Sequence, residues 1–198
     1  MAKIPLNVIN RLSNDIQVSP KFKKVSKAQV RKRVLAARSE MLDLFDSHAV
    51  TQELLMGPSG SNISGTLGGI GNLFAYIGFE SGDKPITRLR AILASYSINF
   101  TFAKGRSVVN IDVPTAQEAF SVTPMPWAIG RSWAKGIETG IAGFGQFLSG
   151  SYQASRSGEG LQSGSRVRGG GFKNRPYISL LIKEYNEKIK RLEKESNR

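Results

Sequence analysis

Residues 96–113 alternate apolar and polar side chains so regularly that they predict two strands. The apolar positions are Tyr96, Ile98, Phe100, Phe102, Val109, Ile111 and Val113. Gly105 stands between the two runs, at the place of the expected turn. Because alternation with a period of two places the apolar side chains on one side, we expect an antiparallel hairpin with its other side in solvent.

Apolar residues at helical spacing flank this hairpin on both sides. Over residues 26–56, Ser26 and Gln29 form a capping-box signature, and a break is expected near Ser47 and His48. The apolar positions of this range are Val30, Val34, Ala37, Met41, Leu44 and Phe45. After Pro176 they are Ile178, Leu181, Ile182, Tyr185, Ile189 and Leu192. Spacings of three and four predict a long helix in the N-terminal half and a C-terminal helix.

Shorter elements complete the predicted fold. Ile86, Leu89, Ile92 and Leu93 indicate an amphipathic helix over residues 86–95. A further helix is expected to hold Trp127, Ile129, Trp133 and Ile137, followed by a strand at about residues 144–154. The fold class is therefore predicted as α+β, with an antiparallel sheet packed by the long helix and the C-terminal helix.

The net charge of +13 is concentrated at the two ends of the chain. Residues 1–38 hold ten Lys and Arg against one Asp, and residues 166–198 hold ten against four acidic residues. Residues 1–25 contain Pro5 and Pro20 and too little apolar material to fold alone. We expect an extended basic arm over residues 1–25, a single α+β domain over residues 26–185 and a charged helix end over residues 186–198.

Two segments are rich in glycine and serine, residues 57–72 and residues 155–171. The first lacks both a lysine and the Gly-Lys-Ser/Thr ending of a phosphate-binding loop. The second contains Arg156, Arg166 and Arg168 but not the alternating aromatic residues of an RNA-recognition motif. Both are expected to be loops that are mobile or become ordered on a partner.

Residue types that support catalysis or metal binding are sparse. The chain has no cysteine and a single histidine, His48, so thiol catalysis, disulfides and zinc sites built on His and Cys are excluded. No Gly-x-Ser-x-Gly nucleophile motif accompanies His48. Asp43 and Asp46 are spaced as on a solvated helix face. We therefore expect no enzyme, no cofactor and no metal, although paired carboxylates of the glycosidase kind stay open.

The candidate contacts to DNA or to another partner are basic residues from both ends of the chain. They are Lys21, Lys23, Lys24, Arg31, Arg33, Arg156, Arg166 and Arg168. Such contacts to phosphates carry no base recognition, and a solvated helix face or loop is the alternative for the same residues. Trp127, Trp133 and Tyr177 are expected to anchor the core or an interface, since large aromatic side chains dominate both.

Several short motifs follow one another between about residue 40 and residue 185. Leu54, Leu55, Gly57 and Leu67 precede an Ile-Gly-Phe at residues 77–79. Then come Pro126 and Trp127 with a second tryptophan at Trp133, a Ser-Arg-Ser-Gly at residues 155–158, a Gly-rich stretch, and an Arg-Pro-Tyr at residues 175–177. In this order the motifs resemble the tail-completion and neck proteins of tailed bacteriophages. The segment around Trp127 is smaller and more basic than in that family.

The resemblance implies an α+β subunit of a ring between portal and tail, through which double-stranded DNA passes. It implies a six- or twelve-fold homo-oligomer in the virion, with other neck, portal-adaptor and tail proteins as partners and with no catalysis. A tail terminator that caps the tail tube, a free non-specific nucleic-acid-binding protein and a virion-associated cell-wall hydrolase are the alternatives. No apolar run is long enough to span a membrane, and we expect no secretory signal at the N-terminus. The absence of cysteine fits synthesis in a host bacterial cytoplasm.

Overall fold

The computed structural model describes residues 15–16, 18–69, 71–103, 106–140, 147–149, 160–162 and 172–196. Its helices are α1 (Pro20–Ser47), α2 (Ala49–Leu55), a 3-10 turn (Gly57–Ser59), α3 (Leu73–Ile77), α4 (Pro85–Leu93), α5 (Ala116–Ser121), α6 (Trp133–Thr139) and α7 (Ile178–Ser196). Its strands are β1 (Ser97–Ala103), β2 (Arg106–Asp112), β3 (Pro124–Met125), β4 (Ala128–Ser132), β5 (Phe147–Ser149) and β6 (Gly160–Gln162). The predicted α+β class, with a long helix early in the chain and a helix near its C-terminal end, is confirmed.

The chain divides into two compact units. Unit 1 contains Met1–Met41, Ser95–Val113 and Lys183–Arg198, and unit 2 contains Leu42–Ala94 and Pro114–Ile182. The single domain expected over residues 26–185 stays a prediction, because both units draw on that range. Within the described residues, no helix is long and apolar enough to cross a bilayer.

In unit 1, the predicted hairpin is confirmed. Strands β1 and β2 pair antiparallel from Ser97 opposite Asp112 to Ala103 opposite Arg106. Exposure alternates along β1, and Val109 and Ile111 of β2 are buried. The expected turn residue Gly105 lies outside the described residues. One side of the hairpin therefore packs inward while the other remains in water, as the alternation predicts.

Two helical segments pack in unit 1. Their buried side chains are Val30, Val34, Ala37 and Met41 of α1 with Tyr185 and Ile189 of α7. Arg33 pairs with Glu195, and Glu40 pairs with Lys188, so the two segments run antiparallel. The Glu193 carboxylate accepts the backbone N–H of Ile111 at 2.9 Å. The charged end of α7 thus fastens both to α1 and to the hairpin.

Helix α1 begins six residues before the expected start. Ser19 accepts the N–H of Phe22 with its hydroxyl at 3.3 Å, and Pro20 occupies the first helical position. A serine cap followed by proline is a strong start signal, because proline lacks only a donor that the first turn cannot use. The prediction of an extended arm is therefore wrong for residues 20–25, and it is also wrong for the described residues 15, 16 and 18, which are helical. Residues 1–14 lie outside the described part of the chain.

In unit 2, the core forms around the aromatic ring of Tyr177. This ring stacks on Phe45 at a centroid distance of 6.0 Å and lies 6.5 Å from the ring of Trp133. Its hydroxyl and the Thr51 hydroxyl are 2.7 Å apart, and both residues are buried. Helix α4 buries Ile86, Leu89 and Leu93, as the sequence predicts. Leu44 was expected in the core but is 47% exposed.

The helix expected from Trp127 onward is wrong at its start. Trp127 lies between β3 and β4, and its indole N–H donates to the Ile77 carbonyl at 2.7 Å. Pro124 and Pro126 remove backbone donors, and Gly130 has a φ of 78°, so the local sequence opposes a helix. The helix begins instead at Trp133, where the Ser132 hydroxyl accepts the N–H of Lys135.

The strand expected over residues 144–154 is described only at Phe147–Ser149, where β5 forms. Its partner β6, Gly160–Gln162, lies within the segment that was expected to be a loop, residues 155–171. That expectation is wrong for these three positions. The remainder of both segments lies outside the described residues.

Two buried tyrosines provide a matched test of the core. Tyr177→Phe removes the hydroxyl that pairs with Thr51, and we expect it to lower the free energy of unfolding by about 1–2 kcal/mol. The Tyr185 hydroxyl is buried without a hydrogen-bond partner among the described residues. Tyr185→Phe should therefore leave the free energy of unfolding unchanged or raise it. Urea denaturation of both variants beside the wild type measures the contrast, and equal losses would contradict it.

Candidate nucleic-acid interface

The first half of helix α1 carries a run of cations without an acidic residue before Glu40. The cations are Lys21, Lys23, Lys24, Lys27, Arg31, Lys32 and Arg33. No acidic residue occupies the first turn of the helix. Cations near a helix N-terminus oppose the macrodipole, which favours negative charge there by about 0.3–1 kcal/mol per group. Lys21 and Lys23, which lie in the first turn, therefore oppose the dipole of the helix that carries them.

Four of these cations share one side of α1. They are Lys21, Lys24, Arg31 and Lys32, and all four are exposed. Counted from Ala28, they lie three, four or seven residues away, which places them on the same side of a helix. They make no hydrogen bond or ion pair with any residue of the described part of the chain. We call these four residues the basic face. At 1.5 Å per residue, it extends over about 16 Å of the helix.

The other cations of this half are engaged within unit 1. The Lys23 ammonium lies 5.8 Å from the Phe102 ring centroid, and the Lys27 ammonium lies 5.7 Å from both the Phe100 and the Phe102 centroids. Arg33 forms an ion pair with Glu195 at 3.0 Å. Cation–π contacts of this kind contribute about 0.5–1 kcal/mol at exposed positions. These side chains therefore help to hold the helix against the hairpin.

The predicted contact residues thus separate into three groups. Lys21, Lys24 and Arg31 lie on the basic face together with Lys32, which the list of candidates omitted. Lys23 and Arg33 have partners within unit 1. Arg156, Arg166 and Arg168 lie outside the described residues.

The three predicted aromatic anchors lie in unit 2. Trp133 and Tyr177 are each 1% exposed, and both belong to the core. Trp127 is half-buried and hydrogen-bonded to the Ile77 carbonyl.

A buried carboxylate, Glu53, organises unit 2, and the sequence reasoning missed it. Its side chain is fully buried and accepts the Asn62 amide at 2.9 and 3.1 Å, the Ser64 N–H at 3.0 Å and the Leu73 N–H at 2.8 Å. The Asn62 carbonyl oxygen accepts the N–H groups of Leu67 and Gly69 in turn. We call residues 57–69, which this network holds, the Glu53 loop.

The Glu53 loop lies in the segment expected to be a loop, and hydrogen bonds within unit 2 hold it, whereas its mobility or ordering on a partner stays a prediction. Asn72 donates from its amide to the Gly57 and Gly60 carbonyls at 2.8 and 2.6 Å, and it also caps α3. The glycine-rich composition thus allows a tight path that these hydrogen bonds hold. A usable signal was present in Asn62, Ser64 and Thr66, polar residues at every second position of a segment without charge.

The described residues hold no cluster of three or more His, Asp or Glu side chains that could bind a metal ion. The oxygens of Glu53 already accept four hydrogen bonds and are buried, so this carboxylate has a structural role. The basic face, by contrast, points outward, and its positive charge can bind a negatively charged partner.

His48 has a structural role in unit 2. Its Nδ1 accepts the N–H of Val50 and caps α2, and its ring lies 4.8 Å from the Tyr177 ring. Burial lowers the pKa of His48, and a hydrogen bond with the Pro176 backbone opposes that shift in part. Protonation would turn Nδ1 from an acceptor into a donor that faces another donor.

The lowered pKa of His48 predicts a stability that depends on pH. Because the folded state favours the neutral ring, stability is complete above the ordinary value of 6.5 and falls as the pH drops below it toward the folded-state pKa. His48→Asn retains a capping oxygen but does not titrate. We expect the difference in unfolding free energy between the wild type and His48→Asn to change as the pH falls below 6.5 and to be constant above it. Denaturation series from pH 5.5 to 8 test this, and a difference independent of pH would contradict it.

Comparison of the chain with protein-family models, with curated proteins and with solved structures found no match.

Proposed function

We propose that this chain is a structural, non-enzymatic subunit of a ring at the head–tail junction of a tailed bacteriophage, where its basic face lies against the backbone of double-stranded DNA. The observation that carries the proposal is the basic face itself. Lys21, Lys24, Arg31 and Lys32 hold four cations on one side of a helix, without an intramolecular partner among the described residues. The order of motifs that resembles neck and tail-completion proteins supplies the setting.

The chemistry of the basic face fits a duplex backbone. A duplex carries one negative charge for about every 1.7 Å of its axis, so a face about 16 Å long meets more phosphates than it has cations. Lys and Arg bind phosphates without reading bases, and Ala28 at the centre of the face leaves room for close approach. Non-specific contact of this type suits DNA that moves through a ring, because every sequence must pass.

The single sign of charge on the basic face supports a role outside the fold. Lys21 lies in the first turn of α1 and opposes the helix dipole, and none of the four residues of the basic face has a partner within the described residues. A purely solvating surface would be expected to mix both signs of charge, as α7 does with Lys188, Lys190, Glu187 and Glu193. A polyanionic partner accounts for the difference between the two helices.

The test is the location of the chain in particles of the phage whose genome encodes it. We expect antibody labelling or cryo-electron microscopy to place it at the junction of head and tail in a closed ring. We also expect filled heads without tails when its gene carries a nonsense mutation. Absence of the chain from purified virions would overturn the proposal.

A free non-specific nucleic-acid-binding protein is the second candidate, and the same basic face favours it. Such a protein would bind duplex DNA as the isolated chain and would be found in infected cells but not in virions. Both proposals therefore predict that the isolated chain binds duplex DNA, and only the first predicts that the chain is present in virions.

A further inference from the structure

Strand β1 pairs with β2 along one edge, and no other strand among the described residues pairs with its second edge. The Ile111 N–H of β2 donates to the Glu193 carboxylate at 2.9 Å, so this group points away from β1. Ile111 lies opposite Ile98. Opposite residues of an antiparallel ladder alternate between pairs that exchange hydrogen bonds and pairs that do not. Ile98 and Ile111 are therefore a pair of the second kind.

The same alternation gives the direction of the backbone at Phe100 and Phe102, because the register continues without a bulge. The N–H and C=O groups of Ile98, Phe100 and Phe102 all point away from β2. None of these groups has a hydrogen-bond partner among the described residues. They form a row of three donors and three acceptors about 14 Å long. We call this row the β1 edge.

The two edges of the hairpin are treated differently. On β2, the Glu193 side chain of α7 occupies the outward N–H of Ile111. Proteins usually protect an open edge with charged side chains, proline or a bulge, because it can pair with other chains. Residues 97–103 contain no charge and no proline, and their register has no bulge. The β1 edge is therefore suited to the addition of a strand.

The backbone chemistry of the β1 edge selects an extended polypeptide. Its donors and acceptors recur at every second residue, which matches the spacing of another strand. Phosphate oxygens accept hydrogen bonds but do not donate them, so a nucleic-acid backbone would leave the outward carbonyls unpaired. The occupant is thus a different class of partner from the one proposed for the basic face.

The surroundings of the β1 edge are basic. Unit 1 contains 18 Lys and Arg against seven Asp and Glu. The Lys23 and Lys27 ammonium groups lie 5.8 and 5.7 Å from the Phe102 ring centroid, and both contact the same side of the hairpin. An acidic strand is therefore electrostatically favoured beside β1, whereas a second copy would bring the same cations and be repelled.

The nearby acidic residue Asp112 does not reverse this balance. Its carboxylate accepts the Ser97 hydroxyl at 2.7 Å and the Asn99 amide at 3.4 Å within the hairpin. A third cation, Arg38, lies 5.2 Å from the ring of Tyr96, the residue that precedes β1.

We infer that the β1 edge is a docking site for an extended acidic segment of another protein, which adds a third strand to the hairpin. Its inward side chains lie beside the half-buried rings of Phe100 and Phe102, so they are apolar. Its carboxylates lie beside Lys23 and Lys27. The inference goes beyond the proposed function and does not rest on the phage setting, since it follows from the hairpin and its charge.

Selection from a displayed library of short random peptides, with the full chain as target, tests the chemistry of the occupant. We expect enrichment of peptides that alternate β-branched or aromatic residues with polar ones and that carry Asp or Glu. The absence of any enriched peptide, or enrichment of basic ones, would overturn the inference.

Hydrogen exchange by NMR tests the position of binding. In the free chain, the amides of Ile98, Phe100 and Phe102 should exchange quickly, whereas those of Asn99 and Thr101, which bond to β2, should exchange slowly. The selected peptide should slow the first three by about tenfold or more. Slow exchange of these three amides in the free chain, or no response to the peptide, would contradict an open docking edge.

A proline at the β1 edge separates the backbone from the side chain. Ile98→Pro removes an outward donor that takes no part in the pairing with β2, and proline is tolerated on edges of this kind. Ile98→Ala is the matched control, because it shortens the same side chain and retains the donor. We expect affinity for the selected peptide to fall about tenfold further in the proline variant than in the alanine variant. Equal affinities would show that no strand pairs at this position.

A pair of charge variants tests the acidic character of the occupant. Lys23→Gln with Lys27→Gln should weaken binding of the selected peptide by about threefold or more. Lys183→Gln with Lys190→Gln removes the same charge from exposed positions of α7 and should leave the affinity unchanged. Equal weakening would mean that net charge explains the binding.

Two further outcomes would assign the β1 edge to another occupant and overturn the inference. The first is slower exchange of the three amides as the concentration of the chain alone rises, because a second copy would then pair with β1. The second is slower exchange on addition of duplex DNA in place of the peptide.

Discussion

Glu53→Ala is expected to lower the free energy of unfolding by about 4 kcal/mol, because it leaves several buried donors without an acceptor. The Ser64 and Leu73 N–H groups and the Asn62 amide all donate to this carboxylate. Each unsatisfied buried donor costs about 1–3 kcal/mol, and a loop without its central acceptor can recover part of that cost by opening to water. Chemical denaturation measures the loss.

Glu53→Gln separates charge from shape at the same position. The glutamine retains one carbonyl oxygen, yet its amide group directs two donors at neighbours that are themselves donors. We expect a loss of stability smaller than that of Glu53→Ala but still clearly measurable. Hydrogen exchange should show faster exchange at the Ser64, Leu67 and Gly69 amides in both variants, since all three depend on this network.

Glu184→Ala is the control for this prediction, because Glu184 is an exposed glutamate of α7. Its effect on unfolding should stay within about 0.5 kcal/mol, which is typical of surface positions. If Glu53→Ala changed stability no more than this control, the loop would not depend on the carboxylate.

Elements with one clear period could be predicted from the sequence. The hairpin formed where apolar and polar residues alternate, and α7 buries Ile178, Leu181 and Ile182 at the expected spacing. In both cases a single local rule decides the structure, because the buried side is continuous along the element.

Segments in which two local rules compete could not be predicted. Ser26 with Gln29 and Ser19 with Pro20 are both valid helix starts, and the contacts of Lys23 and Lys27 with the hairpin rings favour the earlier one. Around Trp127, apolar spacing suggested a helix, whereas two prolines and a glycine with positive φ imposed strands and a turn. Tertiary contact and backbone restriction outweighed periodicity at these places.

The sequence signals the Glu53 loop only in part, for a different reason. Its order depends on one acidic side chain that lies before the loop in sequence and donors that follow it, and glycine-rich composition alone suggests mobility. The basic face was found only in part. Periodicity identified the cations, but the distinction between Lys23, which contacts a ring, and Lys24, which has no partner among the described residues, required side-chain positions.

Replacing the four residues of the basic face should have the largest effect on the proposed activity. For the variant Lys21→Gln, Lys24→Gln, Arg31→Gln and Lys32→Gln, we expect affinity for duplex DNA near 0.1 M salt to fall by roughly 100-fold or more. The slope of log affinity against log salt should become shallower by about 3.6, because each phosphate contact contributes about 0.9. Fluorescence anisotropy with a random-sequence duplex over a salt series measures both quantities.

The control removes the same charge from the opposite end of the chain. The variant Lys183→Gln, Lys190→Gln, Arg191→Gln and Lys194→Gln changes exposed residues of α7, where acidic residues alternate with them. Since its net charge equals that of the first variant, only the position of the cations differs. Equal losses of affinity would show that binding follows total charge, and the basic face would have no special role.

The free energy of unfolding distinguishes a role in DNA binding from a role in the fold for the four residues of the basic face. If the basic face serves DNA, its removal breaks no contact within the described residues and relieves an unfavourable charge at Lys21, so the free energy of unfolding should stay constant or rise slightly. If these cations instead hold the fold, stability and DNA affinity should fall together. Lys27→Gln supplies the comparison, because loss of its contacts with Phe100 and Phe102 should lower stability by about 0.5–1 kcal/mol. A loss of stability in the four-residue variant comparable to that of Lys27→Gln would therefore contradict the proposal that α1 presents its charge to a partner.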